Sequence, residues 1–343
     1  LCVDMDSSSK KPIALLIDDS CPLIHVYRFH WEDVHKNKPF TNDGRRLTDL
    51  VPNSFLDRFC EAIERRGIKG KVTILPSPGG CGDVGRGVIP PPSRRAGIKV
   101  EREEEWARLT HEWMNTVKMR LSSNFDFSPE MITHNLTLDL RTGEYIDQGE
   151  ADWSQVQNRE TLTPYIERAL RILKDAGVTC TGVTSPWDFA SKVEGEYIPS
   201  IVEAMRRVYG STFSWYFLHF SGDRADARPW VAYGDGSTAL VSIPATVNDY
   251  CWQTIDSPRT DDEFVDSAVD SIMARTRSLL QGGGWPIWVT HWQSLWSNGL
   301  ETGLKILDRA ARSVDEELDV NWMKCMELAK ATYELNLSER FTG

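Results

Sequence analysis

The stretch Pro12-Ile-Ala-Leu-Leu-Ile17-Asp18-Asp19 decides the fold. It holds no polar side chain until it stops at two adjacent carboxylates. A strand apolar on both faces is buried on both, as in a parallel sheet covered by helices, and its abrupt polar end marks the rim where such folds place their chemistry. Similar runs follow at Lys71–Leu75, Met131–His134, Val178–Val183, Thr212–His219, Thr238–Ile243 and Pro286–His291. Between them lie segments of helical period: 55–66, 104–121, 163–175, 198–208 and 261–280, with two more at 303–318 and 321–335 after the last strand. Alternation of strand and helix predicts an α/β fold, and seven evenly spaced strands favour a distorted seven-stranded parallel (β/α) barrel over an open sheet. Residues 1–11 read as an N-terminal tail and 12–340 as a single barrel domain. The Pro/Gly-rich stretch 76–97 reads as a long loop after the second strand.

The chain has 343 residues, and its 39 Lys and Arg against 50 Asp and Glu give a net charge of −11. So acidic a body, with no dense basic run, excludes a generic nucleic-acid coat. No stretch is apolar enough to span a bilayer, and the polar start Leu1 to Lys11 lacks a signal peptide's apolar core, so a soluble protein with no membrane partner is expected, with the cytoplasm favoured and the compartment open, because a mature secreted form would also lack its signal. The seven cysteines are scattered and never spaced Cys-x-x-Cys, which indicates neither a disulfide framework nor a zinc knuckle.

The predicted strand ends are polar and aromatic. The first ends in Asp18-Asp19, the third in His134-Asn135, the fourth in Ser185-Pro-Trp187-Asp188, the fifth in His219 and the seventh in His291-Trp292, while Asn248-Asp249-Tyr250-Cys251-Trp252 follows the sixth. In these motifs and their order the chain resembles the polysaccharide deacetylase superfamily, a group of distorted barrels that includes sugar deacetylases and some glycoside hydrolases. The resemblance covers roughly residues 13–335. It implies that Asp18 is the general base, Asp19 and His134 are metal ligands, and His291 of Val289-Thr-His291 is the general acid. Two departures stand out. Leu138 occupies the place of a second metal-binding His four residues after His134, and the family's Arg-x-Pro-aromatic motif reads Thr184-Ser-Pro186-Trp187, without its Arg.

Hydrolytic zinc sites usually keep three protein ligands, so a third is expected from His30, His25 or Asp139. Zinc is the first expectation for the divalent ion. Thirteen tryptophans point to sugar, because flat apolar faces stack on pyranose rings. Trp31, Trp187, Trp230, Trp252, Trp292 and Trp296 fall at predicted loops or strand ends, and Arg224 and Arg228 lie where they would clamp the carboxylate of an acidic glycan. The expected substrate binders are Trp187, Arg228, Trp230, Trp252 and Trp292.

Three readings of function result. The first is metal-assisted deacetylation of a poly- or oligosaccharide. A second keeps the barrel and drops the metal, with Asp18, Asp19, Asp188 or Asp249 paired as in a glycoside hydrolase. The third is a non-catalytic glycan-binding barrel.

Overall fold

The computed structural model describes residues 10–24, 40–48, 50–89 and 103–342. Its principal strands are β1 (Lys11–Asp18), β2 (Gly70–Ile74), β3 (Phe125–Pro129), β4 (Gly182–Thr184), β5 (Phe213–Phe217), β6 (Trp230–Gly234), β7 (Ala239–Ser242), β8 (Ile287–His291) and β9 (Val320–Trp322). The main helices are α1 (Asn53–Arg66), α2 (Glu103–Thr116), α3 (Arg159–Asp175), α4 (Glu194–Tyr209), α5 (Asp262–Gly282), α6 (Thr302–Glu317) and α7 (Cys325–Thr342).

The strands form two sheets. One runs β8-β1-β2-β3, with β9 beside the start of β1, and all its pairings are parallel. The other runs β4-β5-β7-β6, parallel except for the edge strand β6. The sheets meet along two seams. Isolated parallel bridges join Phe127 to Cys180 and Glu130 to Thr184 at one, and Val247 to Trp288 at the other.

The doubly apolar reading of β1 has a direct physical basis. Ile13, Leu15 and Ile17 pack in the large core that includes the helices, whereas Ala14 and Leu16 join Trp215, Phe217, Val241, Ile243, Ile287 and Val289 in a second core contributed by both sheets. Cys325, Leu328 and Ala329 of α7 belong to that inner core, and the Met326 amide donates to Asp126 Oδ2 at 2.6 Å. The inner face of β2 breaks the apolar rule with Lys71 and Thr73, both completely buried.

One expected strand is displaced. Residues 131–134 form a turn, and the third strand lies earlier, at Phe125–Pro129. Met131 and His134 have φ of 47° and 63°, left-handed values no strand accommodates. The true strand escaped notice because Asp126 and Ser128 alternate with Phe125 and Phe127, which breaks the continuous apolar run. Of the long loop, residues 76–89 are described, and they contain a small Gly82–Asp83/Gly87–Val88 hairpin. The six described cysteines are buried and unbridged. No helix among the described residues is long and apolar enough to cross a membrane.

Candidate active site

Parallel pairing sets the site. β1 and β8 align with Asp18 directly opposite His291, so both side chains stand at the same ends of adjacent strands. The next residue, Asp19, turns the chain with φ 62°, and its amide donates to Glu130 Oε2 at 2.8 Å. Glu130 is the first residue after β3. Its carboxylate also accepts from Thr73 Oγ1 at 2.9 Å, while Gln293 Nε2 donates to Asp19 Oδ2. Between these carboxylates lies His134, with Nε2 2.8 Å from Asp19 Oδ1 and 3.2 Å from Glu130 Oε1. All three side chains are buried. Burial works against a charged imidazole, but the two carboxylates outweigh it and hold His134 well above its usual pKa.

The donor chemistry fits a divalent ion. Asp19, Glu130 and His134 each offer one ligand atom, and the three atoms lie within 4.8 Å of one another. Two carboxylate oxygens and one imidazole nitrogen are a set that zinc, manganese, iron and cobalt all accept.

A further buried carboxylate builds the turn that presents His134. Glu150 accepts the amides of Ile132 and Thr133 at 3.0 Å and of His134 at 2.7 Å, together with the Tyr165 hydroxyl at 2.7 Å. Burial raises its pKa to about 7, against those hydrogen bonds. Left-handed backbone at Asp19, Met131, His134 and Trp187 concentrates strain around the site, at a typical cost of about 1–3 kcal/mol per residue that such bracing must offset.

Beneath the cluster, Lys71 Nζ donates to Asp18 Oδ1 and to Thr184 Oγ1 at 3.0 Å. Burial raises Asp18 to about 6, opposed chiefly by the Lys71 charge. On the other side, His291 Nδ1 lies 2.8 Å from Asp249 Oδ2, and Thr290, Ser294 and the Cys251 amide also bond that carboxylate. For His291 burial lowers the pKa, but the Asp249 hydrogen bond and the charges of Asp19, Asp249 and Asp18 carry it to about 9.

The sequence candidates separate accordingly. Asp18, Asp19, His134 and His291 gather at the ends of β1, β3 and β8. Trp187, 53% exposed, meets the His134 ring at 5.2 Å, and Trp252 meets His291 at 4.8 Å, so an aromatic ring flanks each histidine. Arg228 and Trp230 line a different cavity of about 830 Å³, with His219, Phe220 and Arg224, that contains none of the four. Arg224 is paired with Asp226 at 3.1 Å. Trp292 requires correction. It is buried against Phe55, Phe59 and Trp113 and has no face for a sugar; Trp296 packs on Phe55 likewise. Asp139 bonds the Arg141 amide in its own turn, away from the cluster. His25, His30 and Trp31 lie outside the described residues.

Glu130, Lys71 and Glu150 escaped the sequence reading. For Glu130 a signal was present, since Glu130 and His134 are themselves four apart, the spacing sought between His134 and Leu138. The displaced strand shifted that search by four residues.

No family model matches the chain, and no curated protein matches its sequence. Solved structures do match its fold. A Mycobacterium smegmatis protein assigned as a polysaccharide deacetylase aligns over 96% of this chain and 93% of its own, with TM-score 0.51 and 12% identity. A Pseudomonas aeruginosa PAO1 protein with the same assignment aligns over 94% and 91%, with TM-score 0.53 and 9% identity. Puue allantoinase aligns over 94% and 90%, at 0.51 and 9%. At such identities the likeness concerns architecture alone, and in architecture the chain has the polysaccharide deacetylase fold.

Proposed function

We propose that the chain is a carbohydrate-active hydrolase that removes an acyl group from a poly- or oligosaccharide with the help of a divalent metal. The observation that carries this reading is the buried Asp19–Glu130–His134 cluster, beside Asp18 and the His291–Asp249 pair at the ends of parallel strands. The two sheets then act as halves of a distorted seven-stranded barrel within one domain over 12–340.

Asp19, Glu130 and His134 would hold the ion, zinc in the first instance. When bound, it supplies Lewis-acid polarisation of the acyl carbonyl and lowers the pKa of water. Asp18, raised to about 6, is mostly ionised at neutral pH yet basic enough to take the proton of the attacking water. His291 enters as the imidazolium that Asp249 and the neighbouring carboxylates stabilise, and it protonates the leaving oxygen or nitrogen. Trp187 and Trp252 stand beside the two histidines as faces for the sugar. Arg228 and Trp230 would receive an acidic, distal part of the glycan, in the groove that reaches the strand ends at His219. The paired-carboxylate reading has less support: Asp249 is committed to His291 and Asp18 to Lys71.

Chelator-treated protein titrated with zinc, cobalt, manganese and calcium tests the proposal. At 100 times its Kd a bound ion adds ~2.7 kcal/mol of stability, visible as a rise in melting temperature. Acetate release from acetylated oligosaccharides should appear with the same ion. An unchanged melting temperature with every ion, and no acetate released, would overturn the reading.

A further inference from the structure

Lys71 has no solvent exposure, although a lysine in a strand interior costs several kcal/mol unless its charge is matched. It is matched from several directions. The ammonium bonds Asp18 Oδ1 from β1 and Thr184 Oγ1 from β4, and lies 4.7 Å above the Phe217 ring of β5. Thr184 Oγ1 is in turn 2.9 Å from Ser128 Oγ of β3. Asp18, Thr184 and Phe217 sit on three different strands, and among the described residues Asp18 is the only carboxylate the ammonium bonds. No proton transfer in the proposed reaction uses it.

Thr184 is also where the Arg-x-Pro-aromatic pattern puts its arginine. The threonine carries no charge, but its oxygen receives the ammonium of the lysine two strands away in the ring of neighbours. We propose that Lys71 is the positioning residue of Asp18, a fixed cation delivered from β2 where the pattern would deliver one from β4. The buried ammonium holds the Asp18 carboxylate at the strand end beside His291, and the Thr184–Ser128 hydroxyl pair holds the ammonium. Thr184 and Lys71 are then a compensating pair: loss of the arginine is tolerable because the lysine is present. The catalytic part of this inference rests on the hydrolase reading, whereas the carboxylate-holding part does not.

Two arms of one experiment separate them. In the first, metal-supplemented wild type, Lys71→Met, Lys71→Arg and the double Lys71→Met/Thr184→Arg are assayed with 4-nitrophenyl acetate. Lys71→Met should lower kcat by on the order of 10²-fold with KM changed less than about twofold, because a misaligned base is lost at the transition state and not in binding. Lys71→Arg and the strand-swapped double should each recover at least about tenfold of that loss. An unchanged kcat per folded molecule in Lys71→Met, or a double no better than it, overturns the positioning role. The second arm compares the unfolding of Asp18→Asn, Lys71→Met and their double. If the pair is coupled, removing both charges leaves a protein that melts above at least one single variant; purely additive losses overturn the inference. Should wild type not hydrolyse the ester, the first arm is run on acetylated oligosaccharides; if these release no acetate and no ion raises the melting temperature, the hydrolase reading falls and the second arm alone decides for Lys71.

Discussion

Glu130 gives the cluster its character. With Asp19 it places two anionic oxygens against a single imidazole, a harder donor set than one with two histidines, and harder sets bind manganese and iron relatively better against zinc. Glu130→His should therefore raise the zinc retained after dialysis relative to manganese, and Glu130→Ala should lower retention of both. Equal retention in all three proteins would remove Glu130 from the ligand set. His291 permits a prediction about pH. Its pKa in the fold, about 9, exceeds its ordinary 6.5, so the stability it contributes is complete below about pH 6.5 and is lost as pH rises through about 9. Asp249→Asn removes the main partner; the variant should melt lower at pH 6, with a much smaller further decline toward pH 9.5. Curves for wild type and variant that run parallel across this range would sink the account. These residues were unequally legible. Asp18 and His291 stand where continuous apolar runs break, a contrast visible in one dimension. Lys71 lies inside a strand, where a lone lysine reads as a solvent-facing position, and only partners on other strands reveal otherwise. Trp292 directly follows β8 and Trp252 lies in the loop beyond β7, yet one turns into the core and the other to the site, a choice set for Trp292 by the α1 rings of Phe55 and Phe59.

At the scale of elements, strand approach decides how the two sheets carry the site. β4 is short and lies against β5 with Gly182 facing Trp215, whose indole donates to Thr181 Oγ1 at 3.0 Å. A Cβ on Gly182 would fall 2.3 Å from the Trp215 ring, so the strand can hold this register only with glycine there. Because the same Cβ would fall 2.5 Å from the Trp215 carbonyl oxygen, Gly182→Ala forces the strand as well as the indole to move, at a cost of about 1–3 kcal/mol. Because Thr184 and Trp187 follow on the same segment, ester hydrolysis per folded molecule should fall as well. A variant with wild-type melting temperature would show that β4 and β5 separate freely at this point. The helices and most strands were readable from periodicity, which depends only on which faces are buried. β3 was not, since a strand with Asp126 and Ser128 facing inward mimics an exposed one. That misreading propagated: placing the strand at 131–134 made His134 its last residue, when it is the far end of a turn held by Glu150.

For the whole molecule, α7 has a task that its place at the end of the order conceals. Its first turns enter the inner core, where Cys325, Leu328 and Ala329 lie with Ala14, Leu16, Trp215, Ile243 and Ile287 from both sheets, and β9 ahead of it pairs with the start of β1. The chemistry gathers at the opposite ends of the strands, at Asp18 and His291, so the helix acts as a floor and touches none of the proposed ligands. Leu328 is completely buried there. Leu328→Ala removes side-chain volume that the surrounding strands cannot collapse to fill, and about 2–5 kcal/mol of stability should go with it. Leu335, partly buried at the margin of the same core, should cost less when changed to alanine. Since Asp19, Glu130 and His134 draw no side chain from this inner core, both variants should keep the metal-induced rise in melting temperature, starting from lower baselines. Denaturant unfolding with and without zinc measures the two quantities together. If Leu328→Ala abolished the zinc response while the protein remained folded, the inner core would be part of the site, and the separation of floor from rim would be wrong.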